Sequence, residues 1–240
     1  MAVPSHNILT GDAKDKYQKK VVDEDPTYNY MINEMNKISD VKKRLREETI
    51  RAVPDVALMM SGLEQCELMK NMVQISQAKK GIEVGTFVGY SALCFAEGLP
   101  EDGKLITYDI SEEYVNIGKP FWKEAGVEGK IESRIKPAAE ELTAMAADES
   151  QKGTYDFGYV DADKVNYHLY VKALIELIKP KGFIIIDNTL WSGSMANPDA
   201  RENDCSCKAI YNSWKMAIDD PRLDVTTVAI ADGVTLIVKK

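Results

Sequence analysis

Gly81-Ile82-Glu83-Val84-Gly85-Thr86-Phe87-Val88-Gly89-Tyr90-Ser91 decides the fold. A short apolar run is followed by two glycines and then by a helical pattern. Gly85 permits a tight turn, and Gly89 lets a helix begin close to a bound ligand. The segment is not a GxGxxG loop, because Phe87 stands where the second glycine belongs. It is not a Walker loop either, since no Lys-Ser or Lys-Thr follows. Taken alone, the two glycines also describe an ordinary strand-to-helix turn.

Working outward, short apolar runs alternate with helical patterns from Lys80 onward, the mark of βαβ units. Strands are predicted at Gly81–Val84, Lys104–Asp109, Ile131–Ile135, Tyr155–Val160, Gly182–Asp187, Asp224–Ile230 and Thr235–Val238. Helical patterns separate the first five and return between Asp204 and Asp219. Ala231-Asp232-Gly233 reads as the turn of a closing hairpin. The pattern predicts an α/β fold: a doubly wound seven-stranded sheet, mostly parallel, with one antiparallel edge strand and helices on both faces. Extra helices precede it. One starts at Asp25-Pro26, with Tyr30, Met31, Met35 and Ile38 at helical spacing. Another spans Ser39 to Ala52. A third, Gly62 to Lys79, carries Leu63, Cys66, Met69, Met72, Val73 and Ile75 on an apolar face. The expected organisation is one domain over 1–240, with a flexible extension (1–24), N-terminal helices (25–79) and the sheet core (80–240).

The 240 residues carry a formal net charge of −8, with 45% apolar and 28% charged residues. An acidic chain without a basic block is a poor binder of phosphate backbones, so nucleic acid is not expected as a partner. Lys42-Lys43-Arg44 reads as a solvated helix face. Cys66, Cys94, Cys205 and Cys207 form no CxxC pair, which suits free thiols in a reducing compartment. No secretory h-region and no membrane-length apolar run is visible, so a cytoplasmic protein is expected.

In a doubly wound sheet, ligands bind beyond the carboxyl ends of the strands. There the sequence places Asp109, which can accept hydrogen bonds from ribose hydroxyls or cap the next helix. The fourth strand ends in Val160-Asp161-Ala162-Asp163-Lys164, the fifth in Asp187-Asn188-Thr189-Leu190-Trp191. Carboxylates crowded into one crevice repel one another and are costly to bury. A hard divalent cation removes that conflict, and Asp and Asn oxygens are its preferred ligands. The Asp161 segment lacks the glycine and closing Glu of an EF-hand. Lys164 would have its pKa lowered by a nearby metal, which suits a general base, or it could be a surface lysine paired with Asp163. His168 reads as a surface or packed residue, and His6 lies in the extension. No nucleophile elbow appears.

These segments, Glu83-Val84-Gly85-Thr86, Tyr155-Asp156-Phe157 with Val160-Asp161-Ala162-Asp163-Lys164, and Asp187-Asn188-Thr189-Leu190-Trp191, closely resemble the cation-dependent small-molecule O-methyltransferases. That family includes the plant caffeoyl-coenzyme A O-methyltransferases and, more distantly, catechol O-methyltransferase. The resemblance implies a Rossmann-like fold, S-adenosyl-L-methionine as methyl donor, a divalent cation (Mg²⁺, with Ca²⁺ or Mn²⁺ as alternatives) and a homodimer. It implies Asp161, Asp187 and Asn188 as metal ligands and Lys164 as catalytic base. It implies cofactor contacts from Met59, Ser61, Glu83, Gly85, Ser91, Asp109, Ala138, Asp161 and Asp163, and Trp191 flanking a catechol-like acceptor. Two stretches depart from the plant members: Gly62-Leu63-Glu64-Gln65-Cys66-Glu67 after Ser61, and Asn203-Asp204-Cys205-Ser206-Cys207 in the acceptor loop. A coenzyme A ester, a hydroxycinnamate, a flavonoid and a simple catechol all remain open as acceptors. Two rivals stand beside this reading: a nicotinamide-dependent oxidoreductase, and a non-catalytic nucleoside-binding scaffold on the same sheet.

Overall fold

The computed structural model describes residues 26–240. The expected flexible extension, His6 and Asp25 lie outside the described residues. Five parallel strands, β1 (Lys80–Val84), β2 (Lys104–Asp109), β3 (Ile131–Ile135), β4 (Tyr155–Val160) and β5 (Ile178–Ile186), are joined by helices α4 (Tyr90–Gly98), α5 (Glu112–Glu124), α6 (Ala138–Ala147) and α7 (Tyr167–Leu177). Ahead of them stand α1 (Pro26–Tyr30), α2 (Asp40–Ala52) and α3 (Leu63–Ile75). After β5 come α8 (Pro198–Asn203), α9 (Cys205–Asp219), and the hairpin of β6 (Leu223–Val228) and β7 (Val234–Lys239). The strand order is β3-β2-β1-β4-β5-β7-β6. The single reversed strand, β7, pairs antiparallel with both β5 and β6, so it lies one place in from the sheet edge. Burial explains the choice: β7 has no exposed residue, whereas β6 carries Asp224, Thr226 and Thr227 on a largely exposed strand, as an edge requires.

Alternation along the strands builds two cores. Phe157, Tyr159, Phe183 and Ile185 face the layer that holds α3, α4 and α5, with Met69, Val73, Phe95 and Trp122. Ile82, Val84, Val160, Ile184 and Ile186 face the layer of α6, α7 and α9, with Leu142, Leu174 and Ile210. Strands buried on both faces read as continuous apolar runs, which is why Phe183–Ile186 was legible as a core strand. β5 begins earlier than expected, at Ile178, and passes a left-handed residue at Lys181 before that run (φ +66°). β6 ends at Val228 rather than Ile230.

The N-terminal helices correct four expectations. The turn over Met31–Met35 is a wider π-type turn, which rotates the helix face. Ile32 and Ile38 are therefore buried, while Tyr30 and Met35 point outward. α3 stops at Ile75, which is 83% exposed, because Gln77 takes a left-handed conformation. Its inner face includes polar Gln65 and Glu67. Lys42, read as part of a solvated basic face, is in fact buried: its ammonium meets Glu67 on α3 and Glu97 on α4, joining three helices. Such a pair must satisfy its own desolvation cost through close contact, as it does here.

Candidate active site

Register places the site. Val84 pairs with Tyr108 and Val160, and Val160 pairs with Ile186. The next residues, Gly85, Asp109, Asp161 and Asp187, therefore stand side by side along the carboxyl edge of the sheet. The chain reverses its winding direction between β1 and β4, so this is the topological switch point where such sheets bind ligands.

The loop after β1 is held tightly on both sides. Gly85 has φ +102°, and a Cβ there would lie 1.9 Å from the Asp161 carbonyl oxygen, so only glycine fits. Asp109 accepts hydrogen bonds from the Phe87 N–H (2.6 Å) and the Ser111 N–H (2.8 Å), tying the glycine loop to the entry of α5. Glu83, fully buried below, accepts from Thr107 Oγ1 at 2.5 Å. Burial pushes the Glu83 carboxyl up to about 8; hydrogen bonds from Ser91 and Thr107 offset part of this, and the carboxylates of Asp161 and Asp109 add to it. Folding thus favours the protonated acid. No stability is lost below the ordinary carboxyl value; the loss grows as pH rises and is complete above about 8. The thermal midpoint of the unliganded protein should accordingly fall between pH 5 and 8. Glu83→Gln should flatten that fall, since the amide has no charge to bury. Calorimetric melts of both proteins across this range check it, and parallel curves would refute the assignment.

Beside this loop the two acidic strand ends meet. Tyr159, on β4, donates to Asp187 Oδ2 at 2.7 Å and lies 3.4 Å from Asp161 Oδ2. Ser61 Oγ joins from the N-terminal segment, 3.0 Å from the Tyr159 hydroxyl and 3.4 Å from Asp161 Oδ2. Gln65 Nε2 donates to Asp187 Oδ2 at 2.8 Å. Burial pushes the Asp187 carboxyl up to about 7, with the charge of Asp161 adding to it and Lys164, Gln65 and Tyr159 pulling it back. Lys164 Nζ lies 2.9 Å from Asp161 Oδ1 and 2.6 Å from the Tyr167 hydroxyl. Its partner is Asp161, not Asp163.

Asn188 has a left-handed backbone (φ +55°); its N–H donates to Asp187 Oδ1 at 2.7 Å, and its amide sits against Asp232. Asp232, in the β6–β7 turn, accepts from the Ser192 N–H at 2.6 Å. The Thr189 and Leu190 N–H groups donate to the carbonyls of Gly233 and Asp232 (both 2.9 Å). The turn thereby clamps the loop that carries Asn188 and half-buried Trp191. Of the other expected residues, Ala138 opens α6 and is buried, while Met59 is exposed. Asp163 stands outside the cluster, its carboxylate accepting from Tyr170 and Asn166 (both 2.5 Å). His168 is exposed on α7.

The donors fit a hard cation. Two carboxylates share one hydroxyl and one of them is almost wholly buried, while the Asn188 amide, next in the chain, lies against Asp232. Among the described residues no three His, Cys, Asp or Glu side chains converge on one point, so further ligands would be solvent or substrate oxygens. Sequence reasoning missed Gln65, Tyr159 and Asp232 as members of this site. The available signal was a polar residue inside an otherwise apolar helical face.

The sheet order and the crevice at its switch point, beside a glycine turn and a row of carboxylates, are those of a Rossmann-like fold. The chain belongs to the O-methyltransferase family, whose sequence model matches residues 32–240. It is similar to caffeoyl-CoA O-methyltransferase of Medicago sativa (35% identity over 226 residues, 91% of this chain and 90% of that protein). It is also similar to catechol O-methyltransferase domain-containing protein 1 of Mus musculus (31% over 217 residues, 90% and 81%). Among solved structures it matches the SAH-bound methyltransferase of Podospora anserina, with a TM-score of 0.74, 25% identity, and coverage of 100% of this chain and 99% of that one. The protein is thus an S-adenosylmethionine-dependent O-methyltransferase of the caffeoyl-CoA type. The oxidoreductase and scaffold alternatives give way to this assignment. No helix among the described residues is long and apolar enough to cross a membrane.

Proposed function

We propose that this enzyme methylates one of two neighbouring hydroxyls on a catechol-type small molecule, in a reaction that needs a divalent cation. The observation that carries the reading is the meeting of Asp161 and Asp187 at the Tyr159 hydroxyl, with Lys164 beside them and Gly85 and Asp109 in the same row. Asp161, Asp187 and Asn188 are the residues that would hold the cation. When bound, it supplies positive charge that lowers the pKa of the hydroxyl to be methylated. Lys164, held beside that positive charge as the neutral amine, would take the proton and become the ammonium, with Tyr167 orienting it. Gly85, Ser91, Asp109 and Ala138 seat the methyl donor, and Trp191 packs along the acceptor ring. The acceptor oxygen attacks the methyl carbon as the carbon–sulfur bond breaks, leaving S-adenosylhomocysteine. Holding the two reactants in line supplies much of the rate, since alignment alone can be worth roughly 7–11 kcal/mol.

A screen of catechols, catechol esters and flavonoids with labelled methyl donor, with and without chelator, tests this. Label transfer to vicinal diols, abolished by chelator and restored by Mg²⁺, is the expected result. Transfer that persists in chelator removes the cation from the reading. Absence of transfer to every diol removes the acceptor class.

A further inference from the structure

Gln65 is the one buried polar side chain that α3 sends into the site, and nothing in the reaction as described uses it. It is 1% exposed. Its Nε2 donates to Asp187 Oδ2 at 2.8 Å and lies 3.4 Å from the Tyr159 hydroxyl. Its Oε1 is buried without a hydrogen-bond partner, beneath the Ser61-Gly62 turn, where a Cβ on Gly62 would lie 3.5 Å away. A buried amide with an unpaired oxygen costs free energy. An apolar side chain in this helix would avoid that cost, as Leu63, Cys66, Met69 and Val73 do around it.

Its contact explains the position. Asp187 Oδ2 receives two donors from the core side, Gln65 and Tyr159, while Oδ1 receives the Asn188 N–H. Three donors from three elements fix the carboxylate's rotation about its side chain. Asp161 is fixed in parallel: Oδ1 by Lys164, Oδ2 near Ser61 and Tyr159. A carboxylate that is free to turn presents a cation with an average of many arrangements; one held by neighbours presents a single arrangement.

We infer that Gln65 is a positioning residue that sets Asp187 in the orientation needed for a divalent cation. This rests on the cation-dependent reading above. The test is titration of Mn²⁺ into the full-length protein by calorimetry, alongside S-adenosylhomocysteine binding and the thermal midpoint. Gln65→Met keeps the volume and removes the donor. Gln65→Asn keeps the amide on an arm one methylene shorter. Both variants should weaken Mn²⁺ binding by about 10–100-fold, the range typical of groups that support a metal ligand. S-adenosylhomocysteine affinity should stay within about twofold. In turnover assays the Mn²⁺ concentration for half-maximal rate should rise, with kcat recovering at saturation. Unchanged Mn²⁺ affinity in either folded variant overturns the inference, as does a parallel loss of Mn²⁺ and S-adenosylhomocysteine affinity. A wild-type protein that takes up no Mn²⁺ overturns the cation reading itself, and this inference with it.

Discussion

Lys164→Ala is expected to lower kcat by about 10²–10⁴-fold, the span over which a positioned acid or base contributes to rate. The ammonium touches Asp161 and Tyr167 and nothing in the loop after β1, so S-adenosylhomocysteine should bind the variant as it binds wild type. The lost proton acceptor can be supplied partly by solvent. Activity of the variant should therefore climb with pH more steeply than that of wild type. Single-turnover rates measured from pH 6 to 9, together with an isothermal S-adenosylhomocysteine titration, separate the two effects. A variant that keeps wild-type turnover would assign proton removal to another group. The same change removes the ion-pair partner of Asp161, so a modest fall in thermal midpoint should accompany it.

The second large effect runs in opposite directions for activity and stability. Asp187→Asn removes one of two carboxylates that converge on Tyr159, and the side chain is 3% exposed. Cation-dependent turnover should drop by more than about 100-fold, beyond what loss of a supporting neighbour alone produces. In the unliganded protein, however, the buried charge and its repulsion from Asp161 are what raise the Asp187 carboxyl, and the amide removes both. The variant should melt higher than wild type in chelator at pH 8, where the wild-type carboxyl is ionised, and the difference should shrink toward pH 6. A chelated variant that melts lower at pH 8 would show that the carboxylate is held for stability. A gain in stability with a loss of turnover is the expected mark of a site kept for chemistry.

The sheet was legible because its central strands are buried on both faces and read as short apolar runs, and the edge strands follow at βαβ spacing; four of the seven keep their expected carboxyl ends at Val84, Asp109, Ile135 and Val160. Asp109, Asp161 and Asp187 were legible for a related reason: a carboxylate immediately after a core strand must emerge at the ligand-binding edge, wherever the rest of the chain goes. Lys164 follows from its spacing to Asp161. Gln65 and Tyr159 were not legible, since each lies in an apolar stretch where its side chain reads as ordinary packing. Their roles depend on which strand end lies opposite, which is a property of the tertiary arrangement. Asp232 read only as a turn residue; its hold on Ser192 appears only once β7 is inserted beside β5. The outward faces of Met35 and Ile75 were missed because a π-type turn and a left-handed residue shift the phase of the helical period.

The clamp of the β6–β7 turn on the loop after β5 has a consequence for how the enzyme is made. Strands β1 to β5 can pair as they leave the ribosome, each beside a neighbour already synthesised, and with them Asp161 and Asp187 reach their places. Asn188 and Trp191 cannot be fixed in the same way, because Asp232 and Gly233, which hold them, are translated some forty residues later. A nascent chain therefore sets the sheet edge that carries Asp161 and Asp187 before the loop that carries Asn188 and Trp191, and synonymous changes that slow translation across 192–233 would lengthen the interval in which that loop stands unclamped.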